Sequence, residues 1–370
     1  MQNPEMNPAI TLGSCFRGRD NGFTALRLAL ALAVVVGHSF ELGGFGPDPL
    51  LRISGTTLGE LAVNGFFAIS GFLVTRSLLL SSSLRSFALK RALRILPGLW
   101  VCLLLTGLVL FPLLDEWRHA RDGAPLHAYT EAIRYVFANV FVRVGQAGVD
   151  GLFIGQPASG VVNNSLWSLW PEVLCYAALL LLGAIGLLPR RIYTLALALG
   201  VALGAHWGGV ALLGAVLPGL GEAKVWYVWR LMTQAAFFFA GGCLWVGRDQ
   251  LSARAGWRTA ALVATLLALA TSTYAWFGPL TLPYALIALA LHLRGGIIEK
   301  FGDLSYGIYI YHYPLMQTLI FWQGFPILPP IILLQTLALT LPLALASWSW
   351  IESPALRLKE GARPRAAVAV

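Results

Sequence analysis

The sequence predicts an all-α protein, a polytopic membrane bundle of about ten transmembrane helices. Three observations carry that prediction. Of 370 residues, 57% are hydrophobic and only 12% charged, with a mean hydropathy of +0.71, more apolar surface than one water-soluble core can hide. The apolar residues gather into runs of about twenty, the length that crosses a bilayer's hydrocarbon layer. The formal charge of +9 is spread unevenly between those runs. Basic and aromatic residues are not interleaved on any soluble stretch long enough to form a binding domain, so the charge reads as topological and no nucleic acid partner is expected. Cys15, Cys102, Cys175 and Cys243 stand singly, with neither disulfide nor metal-type spacing, and no metal is expected.

Taken in order, residues 1–22 form a polar lead punctuated by glycine and proline. A transmembrane domain covers 23–352 and a short tail 353–370. Ten spans can be drawn: 23–42, 58–80, 89–113, 168–188, 193–217, 229–247, 257–275, 279–294, 303–323 and 328–351. The first lacks a small-residue cleavage site and reads as a retained anchor. The fifth can instead be two pieces broken near Gly204 to Gly209, which would make eleven segments. Charge arbitrates: with the N-terminus inside, ten spans place 18 of the 26 Lys and Arg in cytoplasmic segments, which favours both termini cytoplasmic. The long outer connection, about Leu114 to Trp167, carries a helical piece around Tyr129 to Val142 and has the length of a lid or acceptor surface. No internal repeat is visible, which counts against a transporter of the inverted-repeat kind.

The polar residues inside the spans mark the chemistry. In the first, Arg27 and His38 are eleven positions apart, an advance of about 16 Å with only about 20° between them, so they share a face at two depths. Ionisable groups within a span are functional by default and need a partner. The plainer roles are a snorkelling arginine and a histidine bridging two helices. Between spans two and three, Lys90, Arg91 and Arg94 converge at the start of a helix; they form a phosphate clamp, or else the topogenic signal with anionic lipid. Span two begins with Glu60 and buries Asn64 and Ser70 among Gly65 and Gly71, residues suited to close helix packing. Span four opens on Ser165 and Ser168 as caps, then Pro171 and Glu172 in its first turn. Ten spans put Glu172 at the outer-half depth of His38, where a carboxylate would hold the imidazole's tautomer; Glu41 and Glu60 are rival partners. In span nine, Ser305, Tyr309 and His312 share one face, and His312 is a second intramembrane candidate.

In this order the motifs resemble the acyltransferase 3 family, multi-spanning membrane O-acyltransferases that modify bacterial surface sugars. The family's arginine, ten residues, histidine is matched by Arg27 and His38. Its glycine-phenylalanine-phenylalanine and serine-glycine-phenylalanine-leucine signature is matched by Gly65 to Phe67 and Ser70 to Leu73. Arg91 and Arg94 resemble its arginine, two residues, arginine. Trp167, Ser168, Leu169 and Glu172, then Ser305, Tyr306, Tyr309 and His312, and finally Glu352 and Pro354 follow in sequence. Two positions depart from the pattern: Phe23 to Leu26 replace an aspartate-glycine before the arginine, and Val173 replaces a second glutamate. The resemblance implies an acyl-coenzyme A donor, by default acetyl-coenzyme A, and a carbohydrate or glycolipid acceptor, in a bacterial inner membrane. A mechanism compatible with that donor takes His38 as general base, Glu172 or Glu41 to orient its ring, Arg27 to contact the donor or stabilise the developing oxyanion, and Lys90, Arg91 and Arg94 to hold the donor phosphates. Some relatives carry a fused hydrolase-like domain; none is seen here, so the chain is expected to act alone or with a separate partner. The competing class is a transporter or flippase in which Arg27, His38 and Glu172 line a path.

Overall fold

The computed structural model describes residues 10–18, 20–122, 128–185, 191–294 and 296–358. Arg19, Arg190, Lys359, Arg363 and Arg365 of the charge count lie outside the described residues, as does most of the tail. Among the described residues every regular element is a helix: α1 (Leu12–Cys15), α2 (Phe23–Phe40), α3 (Leu50–Ser54), α4 (Leu58–Leu79), α5 (Leu84–Leu104), α6 (Phe111–Asp122), α7 (Ala128–Asn139) and α8 (Leu169–Ala184). There follow α9 (Arg191–Val216), α10 (Glu222–Val246), α11 (Ala255–Ala270), α12 (Tyr274–His292), α13 (Ile297–Lys300), α14 (Ser305–Gln323), α15 (Pro329–Ser347) and α16 (Ser353–Leu358).

Each drawn span falls on a helix, and seven described segments are long and apolar enough to cross a membrane by length and composition. The other three drawn spans fall on α10, which carries Glu222, Lys224 and Arg230, on the 16-residue α11, and on α14. α14 has a physical reason to be polar. It is enclosed by α2, α5 and α15, so His312 and Gln317 face protein rather than lipid, both fully buried. The third drawn span is longer than expected: α5 passes through a π-helical turn, Leu105–Leu110, into α6 and ends at Asp122. α9 bends at Gly209, with φ +66° and ψ −169°, inside the stretch where a break was expected.

α4 is the hub, packed on α2, α10, α12 and α8. Thr57 and Glu60 begin it with reciprocal caps, Glu60 N donating to Thr57 Oγ1 at 3.1 Å. Its glycines allow backbone contact. A Cβ on Gly71 would stand 1.8 Å from the carbonyl oxygen of Phe238, and one on Gly241 of α10 would stand 2.0 Å from that of Ala68. The obstacle is backbone, so no rotamer change relieves it. Gly71→Ala is therefore expected to destabilise the protein by about 1–3 kcal/mol, as overpacking does, read as a lower melting temperature in detergent.

Against α2, α4 runs antiparallel. Gly37 packs on Gly59, Leu30 on Gly65, and Phe23 on Phe72. This register fixes depth. His38 is level with Leu58, and Arg27 is close to the level of Ser70.

The connection between α7 and α8 does not stay at the surface. Pro314 lacks an N–H, so the carbonyl of Ile310, four residues back in α14, has no helical donor. Asn163 Nδ2 donates to that oxygen at 2.8 Å and Cys102 Sγ at 3.3 Å. Gln317 Nε2 donates to the carbonyls of Ala158 and Val161 at 3.0 and 2.7 Å. The chain thus descends into the bundle beside α14, and a 3₁₀ turn, Asn164–Ser168, starts α8 there. Irregular backbone at membrane depth is tolerated because it is buried in protein.

Candidate functional site

A cavity of about 780 Å³ opens among α2, α4, α5, α8 and α14. Its basic end carries Lys90, Arg91 and Arg94, its walls carry Arg27, Ser70, Glu172, Tyr176 and Asp303, and its far end carries Val63, Phe66, Ser168 and Tyr309. The helix that begins at the Ser83 cap presents the three cations to one space, as their spacing anticipates. Lys90 Nζ donates to Ser81 Oγ at 3.0 Å. Arg91 lies 5.9 Å from the Tyr176 ring and pairs with no carboxylate among the described residues; its buried Nε has no hydrogen-bond partner.

Arg94 and Arg27 are held differently. Both donate to the same oxygen, Oδ2 of Asp303, at 2.6 Å. Arg94 also faces Glu352 at 3.6 Å, whose other oxygen accepts from Ser347 Oγ at 3.0 Å. Asp303 Oδ1 accepts from Ser305 Oγ at the start of α14. Two arginines and two acids therefore form a neutral, mostly buried group on one wall of the cavity. Asp303 is not among the residues expected at the site. Its signal was there, an acid two residues before the first serine of a buried helix, but nothing in local spacing ties it to arginines more than 200 positions away.

Glu172 is a correction. The expectation put it beside His38, whereas Ser70 Oγ donates to its Oε1 at 2.9 Å and Tyr176 Oη donates to the same oxygen. Ser70 is about twelve residues from the level of His38, roughly 18 Å along the helix axis. The cause is the descent of the preceding chain, which starts α8 within the bundle instead of at its edge. Ser70, expected to serve packing, is a cavity residue; Gly65 and Gly71 keep the packing role. Neither Glu41 nor Glu60 bonds to His38. Glu60 is engaged by Thr56 and Thr57.

The partner of His38 is His312. Nδ1 of His38 and Nε2 of His312 are 2.8 Å apart, so the face of α2 that carries Arg27 and His38 is the one turned to α14 and its entry. His38 is half-buried and His312 fully buried. Neither lines the cavity. Between them and it lie Phe66 and Tyr309, rings 6.0 Å apart and tilted 69°, with Tyr309 Oη 2.6 Å from Ser168 Oγ. Val63 is about five residues short of the level of His38 and Tyr309 three short of His312, so this partition is about 5–8 Å thick along the axis. Asn64 is elsewhere: its Nδ2 donates to Tyr274 Oη at 3.1 Å, and it does not line the cavity.

The four cysteines are free. Among the described residues, no three His, Cys, Asp or Glu side chains gather as a metal-binding group.

Comparison with known proteins identifies the family. The chain is 26% identical over 312 residues to an O-acetyl transferase of Shigella phage Sf6, covering 82% of this chain and 86% of the relative. It is 29% identical over 368 residues to Nodulation protein 10 of Rhizobium leguminosarum bv. viciae, covering 92% and 95%. No solved structure matches. The family model described as an acyltransferase domain matches residues 20–349, so this integral membrane protein belongs to the acyltransferase 3 family and is an acyltransferase.

Proposed function

We propose that the protein transfers an acyl group, acetyl by the name of the phage relative, from acyl-coenzyme A to a hydroxyl of a carbohydrate or glycolipid. The observation that carries this reading is the cavity: cations at one end, and a far end that stops one thin partition from an imidazole pair. The diphosphate of the donor docks on Lys90, Arg91 and Arg94 at the cytoplasmic side of a bacterial inner membrane, with both termini on that side. Its pantetheine arm runs past Arg27, Ser70, Tyr176 and Glu172 toward Tyr309. Glu172 is here a wall residue that orients two hydroxyls, not the partner of the base.

The acceptor reaches His38 from the opposite side, and its hydroxyl proton passes to the imidazole as the oxygen attacks the thioester carbonyl. The carbon–sulfur bond then breaks, and the thiolate takes the proton back from His38, leaving an ester and coenzyme A. Tyr309 and Phe66 must part for the two reactants to meet. Arg27, tied to Asp303 at mid-cavity, contacts the donor rather than the reacting carbonyl.

Arg91 offers the clearest test of donor binding because its removal breaks no ion pair. A charged hydrogen bond contributes about 1.5–3 kcal/mol, so Arg91→Ala is expected to raise the KM for acyl-coenzyme A about ten- to hundredfold with little change in melting temperature. The reading as a whole is tested by thiol release from acyl-coenzyme A by purified protein in detergent, together with mass spectrometry of surface glycan and glycolipid from cells with and without the protein. A mass increment of one acyl group confined to cells with the protein supports it. Absence of both thiol release and the increment overturns it.

A further inference from the structure

His312 was expected as a second intramembrane candidate without a task, and its contacts give it one. Its Nδ1 lies 2.9 Å from the carbonyl oxygen of Ile308, one turn back on α14. A carbonyl can only accept, so Nδ1 carries the hydrogen. No carboxylate bonds to either histidine among the described residues, and a charge buried without a partner is costly, so both rings are neutral at rest. A neutral imidazole has one N–H and one lone pair. The lone pair of His312 is then on Nε2, and the 2.8 Å contact needs a hydrogen that only His38 Nδ1 can supply.

The same counting applied to His38 leaves its own lone pair on Nε2, which has no hydrogen-bond partner among the described residues. The ring geometry agrees. Centroids 5.1 Å apart and planes only 17° apart, with two nitrogens at hydrogen-bond distance between them, describe rings meeting edge to edge, in the plane where both the N–H and the lone pair of an imidazole lie. Tyr313, buried and at 87° to His38 with centroids 5.0 Å apart, clamps the ring across that plane.

We propose that His312 is a positioning residue for the transfer step: it fixes the tautomer of His38 so that Nε2 faces the acceptor as the base. The inference rests on His38 being the base in the proposed function. A serine-hydrolase triad assigns the tautomer-fixing task to a carboxylate; here a neutral imidazole does it, backed by a helix carbonyl. When His38 takes the acceptor's proton, its Nδ1–H bond to His312 becomes charge-assisted and stabilises the imidazolium, with His312 anchored through Ile308.

Two near-isosteric variants separate this role from packing. His312→Gln puts an amide where Nε2 stood, and its oxygen accepts from His38 Nδ1–H. His312→Asn reaches only the Nδ1 position, keeping the Ile308 bond and losing the acceptor. The expected result is kcat within about tenfold of the parent for Gln and a fall of about 10²-fold or more for Asn, with the donor KM unchanged in both. Equal kcat in the two variants, whether high or low, overturns the proposal. A second measurement does not depend on variants that fold well. Nitrogen NMR of histidine-labelled parent protein, with His38 assigned by its loss in His38→Ala, is expected to show the hydrogen on Nδ1; finding it on Nε2 overturns the proposal. If instead His38→Ala keeps full turnover while the Nδ1–H tautomer is seen, the failure is of the base assignment and not of the pair's geometry.

Discussion

With alanine at position 38, acyl transfer is expected to fall by about 10²- to 10⁴-fold, the usual contribution of a positioned general base. The protein should remain folded. His38 is half-buried and makes one side-chain hydrogen bond, so its loss leaves Nε2 of His312 as the main unsatisfied group, at about 1–3 kcal/mol. The variant should elute from size exclusion as the parent does and bind acyl-coenzyme A with unchanged affinity, since the cavity does not include His38. Single-turnover thiol release with acceptor present is the measurement. Unchanged turnover in a folded variant would sink the base assignment.

Asp303→Ala is expected to have the largest effect on stability, about 3–5 kcal/mol, because it leaves buried charge without its partner. Asp303 bridges Arg27 and Arg94, with side chains 14%, 26% and 13% exposed. Without it the two guanidiniums face each other on the cavity wall with no shared carboxylate between them, and only Glu352 remains to face Arg94. A loss of charge balance can be compensated by removing one of the two cations. Asp303→Ala combined with Arg27→Met restores neutrality through Arg94 and Glu352 and should recover much of the lost melting temperature. If the double variant melts no higher than the single one, the loss at Asp303 comes from the Ser305 contact at the start of α14 and not from charge.

The sequence made the helical class and the positions of the spans legible because a bilayer imposes a length and a composition on each of them. It made the cation cluster legible too, since Lys90, Arg91 and Arg94 are neighbours on one helix and their convergence is a local property. The pairing of His38 was not legible. Depth was inferred from an assumption that every span runs the full thickness of the membrane, and α8 breaks that assumption because Asn163 is drawn down to the carbonyl that Pro314 frees. Glu172 was displaced with it. His312 and Asp303 share the remaining reason: each owes its partner to the packing of α14 on α2, a contact between segments more than 270 positions apart. Arg27 and His38 were placed on one face by periodicity alone, and that face is where both partners lie.

The partition of Phe66, Tyr309 and Ser168 also determines what has to move. A bilayer's hydrocarbon layer is about 30 Å thick, and nothing as large or as charged as a nucleotide carrier crosses it cheaply. In the proposed function the carrier stays on its own side with its phosphates on arginine, the sugar stays on the other, and the freight is a fragment of a few heavy atoms moved less than about a third of that thickness. On that proposal an acyl group passes between two aqueous compartments with no continuous route for solvent or ions, because the contact of Tyr309 with Ser168 parts for the acyl chain alone.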